Sequence, residues 1–245
     1  MLTEESRIMV IGAHASDYCS RCGGTLALYG KKNGKTKILL VSHGERGESP
    51  SLWKECPGIT EEEIKKIRWE EALRAAEILG AEIVALDFGD NPLLFDRERF
   101  LILTREIRLF GPDIVLTHWT TDPYNPDHET VGKAVLNACH YATVPGVEPE
   151  VSCLPAHPRV FFFEPDVLAT PLSKFDPDVY IDVTEVWEIK MEALRQFETQ
   201  QYLMEYHTMY GEYRGFHARS LGNLPDCQYA EPFRRYQPYA GRYLV

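Results

Sequence analysis

Four short apolar runs limit what this chain can fold into: residues 7–12 (RIMVIG), 37–42 (KILLVS), 82–87 (EIVALD) and 113–117 (DIVLT). A strand with one wet face alternates apolar and polar residues. A strand covered on both faces is apolar almost throughout, and these runs read that way. Stretches with helical character separate them: about 24–33 after a Gly23-Gly24 pair, 60–80, about 97–110, and about 127–143 after Pro126. Parallel strands need a crossover between them, usually a helix, so four such repeats specify a mostly parallel sheet with helices on both faces. The expected fold is α/β, Rossmann-like and single-domain.

The most sharply bounded helix is the second. Thr60 followed by Glu63 forms a capping box, Gly80 ends the helix, and Ile64, Ile67, Ala72, Ala75 and Leu79 form an apolar stripe between them. Further strands are expected at 160–163 and 179–183, and one long helix over 184–204, with Glu188, Lys190 and Glu192 on its solvated face. The last forty residues are rich in Tyr and Arg and show no clear period. We therefore divide the chain into a domain over 1–205 and an extension over 206–245 that packs on the domain or on a neighbouring subunit.

The formal charge is 26 − 37 = −11, which argues against a nucleic-acid partner, because phosphate binding needs a surplus of Lys and Arg on one face. A small anionic substrate stays compatible, since a few arginines in one pocket outweigh a diffuse field. The apolar run near the start is short and preceded by two glutamates, unlike a secretory signal, and no run has the length of a membrane span. Six cysteines without a scaffold rhythm fit a reducing cytoplasm. Cys19 and Cys22 read as packed thiols rather than a redox pair, and Gly23-Gly24 as a close backbone approach.

In open parallel sheets, ligands bind beyond the carboxyl ends of the strands. His14 and Asp17 follow the first strand, while His118, Asp122, Asp127 and His128 follow the fourth, so two loops of one rim deliver imidazoles and carboxylates to the same place. A His-Asp-His set with one open position is a common donor set for catalytic zinc. His43 and His118 read as structural histidines. Arg46, in a glycine-flanked loop, and Arg68 read as carboxylate clamps, because a guanidinium grips a carboxylate with two parallel hydrogen bonds.

Ala13-His14-Ala15-Ser16-Asp17, Gly23-Gly24-Thr25, Gly44-Glu45, Arg68, Glu71 and Asp127-His128 together resemble the PIG-L or LmbE-like superfamily, over about residues 7–205. The resemblance implies an LmbE-like fold, a homo-oligomer, and Zn2+ held by His14, Asp17 and His128, with iron or manganese as other candidate metals. The superfamily's deacetylases open on A-H-P-D-D, where the first Asp is the general base, and carry a His two residues before Asp-His. Here Ser16 and Asn125 stand at those positions, and neither can do that work near neutral pH.

Within the superfamily, G-E-R-G-E-S (44–49), A-A-E-I-L-G-A (75–81), G-D-x-P (89–92) and D-P-Y-N-x-D-H (122–128) resemble the 4-oxalomesaconate hydratase branch. That resemblance implies addition of water to an unsaturated 2-keto or enol polycarboxylate, with Glu48 as one proton-transfer group. Asp166 stands where the branch has a His, in Phe163-Glu164-Pro165-Asp166. Asp127 completes the expected catalytic set, and Ser16, Arg46, Arg68 and Asn125 the substrate-binding set. Two alternatives stay open: a zinc-dependent deacetylase in which Glu48 or Asp166 replaces the lost base, and a non-catalytic metal-dependent binding protein.

Overall fold

The structure, a computed structural model, describes residues 6–32, 34–166 and 170–241. Asn33, the expected end of the first helix, the opening segment 1–5 and the last four residues of the expected extension lie outside the described residues. Seven strands form one sheet: β1 (Ile8–Gly12), β2 (Thr36–Leu40), β3 (Glu82–Ala85), β4 (Ile114–His118), β5 (Arg159–Phe163), β6 (Val179–Asp182) and β7 (Ala230–Arg235), in the order β3-β2-β1-β4-β5-β7-β6. The first five run parallel; β7 runs antiparallel between β5 and β6.

Helices α1 (Asp17–Lys31), α2 (Pro50–Glu55), α3 (Glu61–Leu79), α4 (Arg97–Phe110), α5 (Pro126–Ala142), α6 (Thr170–Ser173), α7 (Trp187–Arg195) and α8 (Tyr202–Leu221) complete the fold. Alternate residues of each inner strand feed opposite cores. Ile8, Val10, Ile38 and Leu40 meet residues of α1, α3 and α7. Met9, Ile11, Leu39 and Val115 meet those of α4 and α5. Both faces of the parallel sheet are covered, as its unbroken apolar runs require. Among the described residues no helix is long and apolar enough to cross a membrane.

Several local expectations are corrected. The strand read at 82–87 ends at Ala85 and is only partly buried, because it lies at the sheet edge. The long loop after β2 contains α2. On α3 the capping box forms and Gly80 caps the end with φ 69°, yet the buried face also carries Arg68 and Glu71. The single helix expected over 184–204 is interrupted between α7 and α8, where Thr199 and Gln200 turn inward to bond Glu71 and Arg68.

The extension expected over 206–245 is built of regular elements despite its lack of a clear period. It begins inside α8 and contributes β7 to the interior of the sheet. Lys190, expected on a solvated face, is buried and donates to Glu231 of β7 at 2.7 Å. Glu231 also accepts from the backbone N–H groups of Gly24 and Thr25 at 2.8 and 2.7 Å. Those two donors are freed because α1 breaks its helical geometry at Cys22 (φ −145°, ψ 20°). A Cβ on Gly24 would lie 2.7 Å from Val183 Cβ, so the glycine permits this close approach.

Candidate metal centre

The order of the sheet reverses at β1, which pairs with β2 on one side and β4 on the other. Diverging connections open a crevice at such a switch point. His14, Ser16 and Asp17 leave β1 there in a tight turn in which the His14 N–H donates to Asp17 Oδ2 at 2.7 Å. His128 arrives from the first turn of α5, which Pro126 opens.

The ligand atoms of His14, Asp17 and His128 all lie within 4.8 Å of one another, and all three residues are buried. His14 Nδ1 is 3.7 Å from Asp17 Oδ2, and His128 Nε2 is 3.5 Å from Asp17 Oδ1. Ligands about 2.0–2.2 Å from a tetrahedral cation stand roughly 3.3–3.6 Å apart, so these separations suit a shared ion. The two imidazole nitrogens that face the gap, His14 Nδ1 and His128 Nε2, are buried without hydrogen-bond partners among the described residues. Buried nitrogens are rarely left so, and a cation between them would satisfy both.

The opposite nitrogens are anchored. His14 Nε2 stands 3.4 Å from Asp127 Oδ2, and Asp127 accepts from the N–H groups of Asn91 and Leu93 at 2.8 and 2.9 Å. His128 Nδ1 stands 2.9 Å from Asp122 Oδ2. A carboxylate behind each imidazole fixes the ring's orientation and raises its basicity toward a metal. Burial opposes charge on His128, but Asp17 and Asp122 overcome it and raise its pKa to about 9. Asp17 is held well below the usual carboxylate range, since His118 and His128 outweigh the cost of burying it.

A second grouping, His14 with Asp90 and Asp127, offers less. The carboxylate of Asp90 already accepts from the N–H groups of Arg46 and Gly47, and that of Asp127 is used as described. His118 is not a free ligand either: its Nε2 stands 3.0 Å from both the Ala13 nitrogen and Asp17 Oδ2, and its ring stacks on His128 with centroids 4.0 Å apart. His43 packs edge-on to Trp69.

A cavity of about 270 Å³ is lined by two of the ligands, Asp17 and His128, together with Ser16, Glu48, Asn125 and Asp166. Glu48 reaches in from the loop after β2, where Gly44 (φ 73°) makes the turn and a Cβ would come 2.9 Å from Glu48 Cβ. Its Oε1 is 3.7 Å from His14 Nδ1 and accepts from Asn125 Nδ2 at 3.0 Å; its Oε2 accepts from Gln200 Nε2 at 2.9 Å. Two amides therefore hold one carboxylate at the ligand cluster.

Three expected site residues sit elsewhere. Arg46 is half exposed and bonded to Glu61 at 2.8 Å, outside the cavity lining. Arg68 is fully buried beneath it, taken by Glu71, Thr199 and Gln200, and reaches Glu48 only through Gln200. Each has a nearby acidic side chain on α3 that claims its guanidinium. Asp127 lies behind His14 and does not line the cavity.

In their place the cavity presents Arg21, Gln200, Tyr202, Tyr206 and His207. Arg21 is four residues from Asp17 on α1, a spacing that puts both on one helix face. That signal was legible but lay ahead of the expected helix start. The α8 side chains carried no usable local signal. Cys19 and Cys22 are buried free thiols whose pKa values burial pushes up, which makes them inert.

A Rossmann-like sheet with a His-x-x-Asp turn after β1 and an Asp-His pair opening the helix after β4 places a set of residues that could hold a metal at the switch point of an α/β enzyme fold. The chain belongs to the PIG-L family, whose GlcNAc-PI de-N-acetylase domain matches residues 9–139. It is similar to the 4-oxalmesaconate hydratase of Pseudomonas putida, 35% identical over 219 residues that span 89% of this chain and 83% of the relative. It is also similar to the diacetylchitobiose deacetylase of Thermococcus kodakarensis, 28% identical over 235 residues, 93% of this chain and 82% of that one. Among solved structures, the 4-carboxy-2-hydroxymuconate hydratase from Pseudomonas putida KT2440 superimposes with a TM-score of 0.91 at 33% identity, covering 98% of this chain and 100% of that chain.

Proposed function

We propose that this chain is a zinc-dependent hydratase that adds water across a carbon–carbon double bond of an unsaturated 2-keto or enol polycarboxylate. One observation carries the reading: the position that holds a deacetylase's base is Ser16, while the cavity instead keeps Glu48 beside the ligand cluster, fixed by Asn125 and Gln200. The resemblance to hydratases in both sequence and structure supports it.

Zinc suits a donor set of two imidazoles and a carboxylate with an open position; when bound, it supplies the Lewis acidity that polarises a keto or enolate oxygen. Glu48 then orients the attacking water and takes its proton at Oε1 or Oε2. Asp166, across the cavity, is the carboxylate that takes up a proton from solvent and passes it to the substrate carbon. Ser16 and Asn125 orient the substrate, and Asp127 and Asp122 hold the imidazoles in place.

The zinc-loaded protein should bleach the ultraviolet absorbance of a conjugated oxo-dicarboxylate. Glu48→Gln should keep its zinc and lose about 10²- to 10⁴-fold in kcat, the usual worth of a positioned proton-transfer group. Full activity in that variant, or no bleaching across a panel of such acids, overturns the proposal. The similarity to a deacetylase favours amide hydrolysis as the second reading, with Glu48 as its base. Metal-dependent acetate release from N-acetylglucosamine conjugates would select it.

A further inference from the structure

Among the described residues, the buried arginines Arg68, Arg108 and Arg214 are spoken for. Arg108 donates to five backbone carbonyls, Arg214 grips Glu164, and Arg46 and Arg68 are paired on α3. Arg21 is different. Its Nη1 is the one arginine nitrogen among the described residues that is buried without a hydrogen-bond partner, and the side chain lines the cavity. Leaving a buried charged donor unsatisfied is costly, so the arrangement suits a site completed by something that enters it.

The surrounding charge says what that is. Asp17, Glu48, Asp122 and Asp166 all line the cavity, and Arg21 is its single Lys or Arg among the described residues. Tyr206, Asp17, Asp166 and Asp122 outweigh the burial that opposes its charge, so the guanidinium stays protonated. A polyanion entering this space meets four carboxylates and needs a cation at each end. His14, Asp17 and His128 provide for one end. Arg21 stands four residues from Asp17, about one helical turn away, and provides for the other.

We propose that Arg21 is the specificity-determining residue of the site, receiving the substrate carboxylate distal to the metal-binding end. The assignment rests on the keto-acid reading above. His207 of α8 lines the same cavity with an unpartnered Nδ1. Burial and the nearby Lys190 and Arg21 keep it neutral, so it offers a hydrogen bond without a second charge. The two residues join the start of α1 to α8, which gives the C-terminal region a role in choosing the substrate.

The test compares two probes of equal chain length, 2-oxoglutarate and 2-oxopentanoate, titrated calorimetrically into zinc-loaded full-length protein. Both present the same 2-oxo acid end; only the first has a distal carboxylate. The wild type should bind 2-oxoglutarate about ten- to hundredfold more tightly, the range for hydrogen bonds to a charged partner. Arg21→Gln should abolish that preference while keeping zinc content, melting temperature and 2-oxopentanoate affinity. Arg21→Lys should restore part of it, as a point charge without the planar fork. No preference in the wild type, or an undiminished preference in Arg21→Gln, overturns the proposal. A preference that depends on Arg21 without any water addition to unsaturated acids would sink the hydratase reading and leave this assignment standing.

Discussion

The cavity has two halves with different origins. The metal cradle is local to two strand ends: β1 and the turn after it supply His14 and Asp17, the loop after β4 supplies Asp122, and the first turn of α5 supplies Asp127 and His128. The opposite wall is assembled at long range, from Arg21 at the start of α1, Asp166 after β5, and Gln200, Tyr206 and His207 near and on α8. The cradle needs a few residues at fixed spacing beyond two strand ends, which any parallel sheet of this order brings together. The wall depends on where the last helix and β7 dock, and no short spacing encodes that.

Substituting ligands is the severest way to test this division. His14→Ala and His128→Ala each remove one of three donors and leave the backing carboxylate, Asp127 or Asp122, without its imidazole. Both variants should retain less than a tenth of the wild-type metal after dialysis, measured by elemental analysis. Ser16→Ala should stay near the wild-type content. Equal loss in all three would show that the cradle is not the unit described.

A gentler cut falls on the residues behind the ligands. Asp127→Asn keeps the shape and the acceptor for one backbone N–H but withdraws the charge facing His14 Nε2. It should weaken metal binding about 10- to 100-fold, the usual effect of losing such a partner, read by competition with a chelator. Affinity within twofold of the wild type would mean that Asn91 and Leu93 need Asp127 for loop shape alone.

The same division explains what could be read from the sequence. β1, β2 and β4 were legible because burial on both faces leaves them almost no polar residues. The ends of α3 were legible because Thr60, Glu63 and Gly80 each answer a local backbone need. β7 was not: AEPFRR contains a proline, which cannot donate to the ladder, and three charged residues. Glu231 is tolerated there because Lys190, Gly24 and Thr25 satisfy it, all distant in sequence. Lys190 was misread for the same reason, while the acidic side chains of α3 that pair with Arg46 and Arg68 compete with a substrate carboxylate in a way no spacing decides. The break between α7 and α8 has no proline or glycine to announce it.

The smallest expected effect tests whether the C-terminal docking can be disturbed without touching the cradle. Ala at position 24 would place its Cβ 2.7 Å from both Cβ and Cγ1 of Val183 and 3.2 Å from Glu231 Oε1. Overpacking of this kind costs about 1–3 kcal/mol, against which the better helix propensity of Ala returns roughly 0.5–1 kcal/mol. A net loss near 1 kcal/mol should lower the melting temperature by about 2–4 °C for a chain of this size. Gly146→Ala, where the added Cβ meets nothing within 4 Å, is the matched control and should melt like the wild type. Because Gly24 lies on the Glu231 side of the kink in α1 and Asp17 on the other, Gly24→Ala should keep its full complement of metal. A metal content that fell together with the melting temperature would show that the kink transmits strain between the halves, and the cradle would then depend on β7 as much as on β1.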